Sequence, residues 1–177
     1  TRYSRFSSGK SIFGTGMNMQ NWPHELLDFL QPDEGYMYFS PDLSQAENRI
    51  VAYVGQVDTM IDAFETGKDL HRLTASLIFD KAYEDVSDEP GSCSLGDGTQ
   101  SERFWGKKAN HGLNYDLGYK SFSLYYEIPE QQGKWIINRY HDAYPGVRKS
   151  YHAYVKSSLR ESRRLTNLLG RKTMFLG

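Results

Sequence analysis

Apolar residues recur with a helical period along most of this chain. From Ser44 to Val54 the period runs through Ala46, Ile50 and Val54, with Ser44 as the expected cap and Glu47 three residues on. Thr59 to Glu65, Asp69 to Phe79 and Glu102 to Tyr115 read as further helices. Pro129 suits the first turn of a helix reaching Tyr144, and Pro145 opens another running to about Arg163. Extended structure is rarer. Tyr36-Met37-Tyr38-Phe39, behind Gly35, predicts a buried strand that ends at Ser40-Pro41-Asp42, so Asp42 is expected where a strand hands over to a helix. Leu165 to Leu169 predicts a second strand, ended by Gly170. The first 23 residues are rich in Ser, Gly and Asn and read as loop. Ser87 to Gln100, with Pro90, Cys93 and three glycines, reads as a flexible loop and the stretch expected to be disordered. The pattern defines an α+β chain, mainly helical.

Composition changes this picture little. At 177 residues the chain can bury a real core, as one domain or as part of a larger one. Charge is balanced, with 21 Lys and Arg against 22 Asp and Glu, but unevenly spread. From Arg148 to Lys172 there are eight cations and one acid, Glu161, whereas acids predominate from Asp33 to Glu102. A basic end is compatible with phosphate binding and equally with a solvated helix face. The single Cys93 excludes an internal disulfide and fits a reducing compartment. No run is long and apolar enough to span a membrane, and Thr1-Arg2-Tyr3-Ser4 is no signal peptide, so a soluble cytoplasmic protein is expected.

Two constellations carry chemistry. Arg103, Lys107, His111 and Tyr115 recur every four residues, which on a helix makes a stripe about 18 Å long running from cations through an imidazole to a phenol. Such a face suits a polyphosphate at one end and a base or sugar at the other, because the first helical turns also favour anions. An exposed basic helix edge would have the same spacing. The second constellation is Asp42-Leu43-Ser44-Gln45-Ala46-Glu47-Asn48-Arg49, where Asp42 could ligate a hard divalent cation or merely cap a helix.

In six of its eight positions this segment matches or nearly matches Asp-Tyr-Ser-Gln-Ile-Glu-Leu-Arg, and so it resembles motif A of family A DNA polymerases. Arg103, Lys107 and Tyr115 are similar to that family's motif B helix, and Gly67-Lys68-Asp69-Leu70-His71 to its Gly-x-Asp-Ile-His. Asn18-Met19-Gln20-Asn21, Tyr144-Pro145 and Leu169-Gly170-Arg171-Lys172 also resemble family segments, in the same order.

The resemblance implies part of a right-hand polymerase fold: partial palm in 1–55, fingers in 56–145, and a basic return toward the palm in 146–177. It implies template-directed nucleotidyl transfer from a dNTP to a primer 3′-hydroxyl, releasing pyrophosphate, with primer–template DNA as partner. Asp42, with the carbonyl of Leu43, would hold Mg²⁺, two ions serving the complete enzyme. Gln45 and Glu47 would line the nucleotide pocket, Glu47 excluding a ribose hydroxyl. His71, Arg103 and Lys107 would grip the triphosphate, with His111 and Tyr115 toward the base. Lys10, Asn18, Gln20, Asn21 and Arg171 would touch DNA, largely at phosphates.

Departures from the family pattern are as informative. His111 stands where the family has Phe or Tyr, and Asp116 where it has Gly. The family's second metal carboxylate, in a His-Asp-Glu motif, has no counterpart here, since His141-Asp142-Ala143 is misplaced and lacks the Glu. The expectation is an internal piece of a bacterial or phage enzyme, inactive alone, whose remainder or a second chain supplies that carboxylate. The rival expectation is a nucleotide-binding or nucleic-acid-binding module without catalysis.

Overall fold

The computed structural model describes residues 13, 23–39 and 42–175. Contacts divide the chain into two units, Thr1–Leu43 and Ser44–Gly177. Among the described residues the first unit has one short helix, α1 (His24–Leu27). No strand forms over Tyr36 to Phe39, which runs without regular structure and leaves its four side chains 63–85% exposed. The expected buried strand is therefore wrong. Apolar, β-prone residues make a strand only against a partner edge, and the one sheet among the described residues lies elsewhere.

The second unit carries the core. Helices α2 (Ala46–Gly55), α3 (Asp58–Glu65), α4 (Leu70–Phe79), α5 (Glu102–Asn114), α6 (Tyr119–Tyr125) and α7 (Glu130–Ala143) are followed by a π-helical segment, Val147–His152, that continues into α8 (Ala153–Ser162). A hairpin, β1 (Arg164–Thr166) and β2 (Lys172–Met174), closes the described chain, with Leu165 opposite Thr173. The single strand expected over Leu165 to Leu169 is thus shorter and starts one residue earlier. Leu168 and Leu169 sit exposed in the turn, where Asn167 Oδ1 accepts the amides of Leu169 and Arg171. No helix of the described residues is long and apolar enough to cross a membrane.

Side-chain caps mark the starts of α4 and α5. Asp69 caps α4, its Oδ1 accepting the amides of His71 (2.8 Å) and Arg72 (3.3 Å). Ser101 caps α5 through the amide of Phe104. Ser44 does not cap α2. Gln45 occupies that place in a left-handed conformation (φ 51°), without a side-chain cap bond to the helix amides. The segment Ser87 to Gln100 is ordered, contrary to expectation. The Gly91 amide donates to Thr99 O, the Cys93 amide to Gln100 O and the Gly96 amide to Gln132 Oε1, while Cys93 and Leu95 are buried in the core. Two apolar anchors and a pair of backbone bonds outweigh a composition that signals disorder.

Trp105, Leu113, Phe122, Ile136, Tyr140 and Tyr144 form the centre of the core. Beside them α5 lies against α4 at Gly106, where a Cβ would stand 2.2 Å from the His71 carbonyl oxygen and 2.9 Å from the Ala75 nitrogen. Only glycine allows that approach. Replacing Gly106 with Ala forces backbone against backbone, so a loss of at least about 1 to 3 kcal/mol is expected, measured as a lower denaturation midpoint. A midpoint equal to wild type would mean that the helix pair is looser than described.

Candidate functional site

Helix α5 has two faces. Trp105, Gly106, Ala109, Asn110, Leu113 and Asn114 point inward, while Lys107, His111 and Tyr115 are exposed and Arg103 is half-buried. The four-residue stripe therefore stands on the side away from the core. His111 and Tyr115 meet edge to face, with ring centroids 5.8 Å apart.

Arg103 is held from across the helix pair. Its Nε donates to Asp69 Oδ2 at 2.7 Å, Nη2 lies 2.7 Å from the same oxygen, and Nη1 is 3.6 Å from Asp88. One carboxylate thus caps α4 and orients the guanidinium. Burial pushes the Asp69 carboxyl up, but the Arg103 hydrogen bond and charge and the two helix amides outweigh it, holding the group below the ordinary carboxylate range. His71, in the first turn of α4, is half-buried. Burial lowers its pKa, Asp69 opposes, and the charges of Arg103 and Lys107 lower it further. His71, Arg103 and Lys107 therefore share one neighbourhood, built from the start of α4 and the outer face of α5.

A second group lies at the other end of the stripe. Glu47, Ile50 and Val51 of α2, Asn114 and Tyr115 at the end of α5, and Tyr151 line a cleft of about 90 Å³. Burial and then the Glu47 charge raise the Tyr151 phenol. Gln45 is turned toward its own helix, where its Oε1 accepts from Asn48 Nδ2 at 3.3 Å.

The remaining candidates are dispersed. Asp42 and Leu43 are exposed in the first unit, and Arg171 is exposed beside the hairpin turn. Lys10, Asn18, Gln20 and Asn21 lie outside the described residues. No group of three or more His, Cys, Asp or Glu side chains that could hold a metal ion occurs among the described residues. Asp42 and the Leu43 carbonyl offer the hard oxygens that Mg²⁺ prefers, but only part of a ligand set.

Sequence reasoning passed over several residues that the structure brings in. Asp69 had a visible signal, an acid just before a helix and two residues from His71. Tyr151 had none, because its approach to Glu47 depends on how the π-helical segment packs. Asp116 is a third. It has φ 55°, bonds Lys156 Nζ, and lies 3.6 Å from Arg148 Nη2 and 3.4 Å from His152 Nδ1. Burial raises its carboxyl, and the hydrogen bond from Lys156 with the surrounding cations brings it below its usual value.

A mainly helical α+β chain with these groups on one helix pair matches part of a polymerase domain, that of Pol1 from M. smegmatis, solved in complex with DNA primer-template and dNTP. The TM-score is 0.63 at 29% identity, covering 75% of this chain and 21% of that one. The family model for DNA polymerase family A matches residues 15–176, and the chain belongs to that family. It is 30% identical over 163 residues to DNA polymerase I of Aquifex aeolicus, covering 88% of this chain and 26% of that protein. It is 29% identical over 175 residues to DNA polymerase I of Synechocystis, covering 96% of this chain and 16% of that protein. The chain thus spans about a quarter or less of the length of these relatives.

Asp69→Ala removes a cap and frees Arg103, and is expected to cost about 1 to 2 kcal/mol. The sign with pH follows from the depressed folded carboxyl. Its contribution is complete above the unfolded titration near about 4 and fades as pH falls through the lower folded value. Denaturation midpoints of wild type and Asp69→Ala should accordingly converge in acid. A gap that stays constant with pH would remove Asp69 as the electrostatic anchor of Arg103.

Proposed function

We propose that this chain carries the nucleotide-binding part of a DNA-directed DNA polymerase, which transfers the nucleotidyl group of a dNTP to a primer 3′-hydroxyl on template DNA, pyrophosphate leaving. The observation that carries the reading is the meeting of His71, at the start of α4, with Arg103 and Lys107 on the outer face of α5. Two fixed cations and an imidazole donor suit a triphosphate, whose oxygens take charge-assisted hydrogen bonds. Asp69 aims Arg103, so part of the ordering cost of binding is met before the nucleotide arrives. Residues 1–55 are assigned to the palm, 56–145 to the fingers and 146–177 to a basic return that meets DNA phosphates, where Arg171 is exposed.

At the far end of the stripe His111 and Tyr115 receive the sugar and base. Glu47 shares its cleft with Tyr115 and narrows the space beside the sugar, which supports its role in refusing a ribose hydroxyl. Asp42, with the Leu43 carbonyl, would hold one side of a divalent-ion site, Mg²⁺ being the ion such oxygens favour. When bound, the ions stabilise charge on the attacking and leaving oxygens. This sequence has no second motif of the required kind, so the other carboxylate is assigned to a segment or chain beyond these residues. A module that only binds nucleotides is the competing reading, and Asp42 and Glu47 disfavour it because binding alone needs neither.

Primer extension by the complete enzyme decides between these readings. Asp42→Ala should reduce the extension rate by at least about a thousandfold, on the scale of transition-state charge stabilisation, with DNA affinity nearly unchanged. Glu47→Ala should incorporate ribonucleotides more readily than wild type, and Lys107→Ala should raise the nucleotide KM. The 177-residue chain alone should not extend a primer. Unchanged extension by Asp42→Ala would remove Asp42 from the metal site, and a complete protein that extends no primer would leave only the binding-module reading.

A further inference from the structure

Behind His71 a line of buried polar groups runs into the core. Asn110 Nδ2 lies 3.0 Å from His71 Nδ1, Thr74 Oγ1 donates to Asn110 Oδ1 at 3.1 Å, and Thr74 Oγ1 is 3.0 Å from the Tyr144 hydroxyl. Thr74, Asn110 and Tyr144 are all fully buried. The four residues come from α4, α5 and the residue that ends α7, so the line spans three elements.

Its polarity follows from the closed end. A hydroxyl has one proton, and a buried donor without an acceptor is costly. If Thr74 donated to Tyr144, the phenol proton would need another acceptor, and none is found among the described residues. Tyr144 therefore donates to Thr74, Thr74 to Asn110 Oδ1, and the Asn110 amide to His71 Nδ1. An imidazole that accepts at Nδ1 carries its proton on Nε2 when neutral. Nε2 has no partner among the described residues and is not among the buried unsatisfied atoms.

We propose that Asn110, backed by Thr74 and Tyr144, is a positioning residue that sets the tautomer of His71, so that a neutral ring presents Nε2–H as an outward donor. The use of that donor on a nucleotide phosphate rests on the function proposed above; the tautomer does not. Neutrality has a purpose beside Arg103 and Lys107. A third fixed cation there would repel both, whereas a neutral donor adds a directed hydrogen bond without charge.

Nitrogen-15 NMR of the His71 ring tests this in the protein itself. Near neutral pH, Nδ1 should be unprotonated and Nε2 protonated. Asn110→Asp puts an acceptor-only carboxylate against Nδ1 and should draw a proton there. The charged groups facing the ring would otherwise be Asp69, Arg103 and Lys107. With the new acid the His71 titration midpoint should rise by about one to three pH units, the usual effect of an adjacent opposite charge. Thr74→Ser keeps the relay and should preserve the wild-type ring signals, whereas Thr74→Val breaks it and should give mixed tautomers in a chain that still unfolds cooperatively. A wild-type ring protonated on Nδ1, or a midpoint unmoved by Asn110→Asp, overturns the proposal. Titration with dATP separates the two layers. A shift of the Nε2 signal, with affinity about tenfold weaker in Thr74→Val, supports both. An Nε2–H ring that ignores dATP upholds the relay and refutes the phosphate role.

Discussion

The contact of α5 with α4 at Gly106 is the constraint on which the rest depends. The approach is to the carbonyl of His71 itself, so the glycine that allows the helices to meet also sets where the imidazole stands relative to Arg103 and Lys107. A larger residue would separate the groups that define the site before it disturbed anything chemical. The Asp69–Arg103 pair spans the same junction from outside, and Thr74 with Asn110 spans it from inside. Packing, ion pair and buried hydrogen bonds thus act across one seam.

The inner face of α5 repeats this design one turn later. Asn114 donates to Asn48 of α2, accepts from the Tyr140 hydroxyl of α7 at 3.3 Å, and its carbonyl accepts from His152 Nε2 at 3.0 Å. Two asparagines four residues apart therefore tie α5 to the elements around it. Apolar packing would tolerate a helix turned or slid by a fraction of a residue, but directional bonds in a low-dielectric core do not. The outward stripe inherits its orientation from this inward row.

Helices α2 to α5, α7 and α8 were legible because each carries a period, with end signals at Asp69, Ser101 and Pro129, whereas the short α1 and α6 were not anticipated. The outer stripe was legible for the same reason, since a four-residue repeat on a helix can only make a line. Other features were not, because they depend on partners distant in sequence. Tyr36 to Phe39 has strand chemistry but no edge to pair with among the described residues, and Ser87 to Gln100 is ordered by Gln132 and by core neighbours that its own composition does not reveal. The left-handed Gln45 in place of a Ser44 cap, and the approach of Tyr151 to Glu47, likewise follow from packing. Asn110 and Asn114 looked like ordinary polar positions on a helix; only their partners across 36 and 66 residues give them meaning.

Asp116 carries a consequence of another kind. A residue with side chain in the left-handed region is less comfortable than glycine, and this one stands among Lys156, Arg148 and His152. Glycine at this position would ease the backbone yet leave two permanent cations and an imidazole crowded together without their common anion. Changing Arg148 or Lys156 alone would leave the acid strained and partly unmatched. The four side chains thus depend on one another through a single carboxylate. A glycine at position 116 would therefore relax the backbone only by removing the one carboxylate that these three basic side chains share.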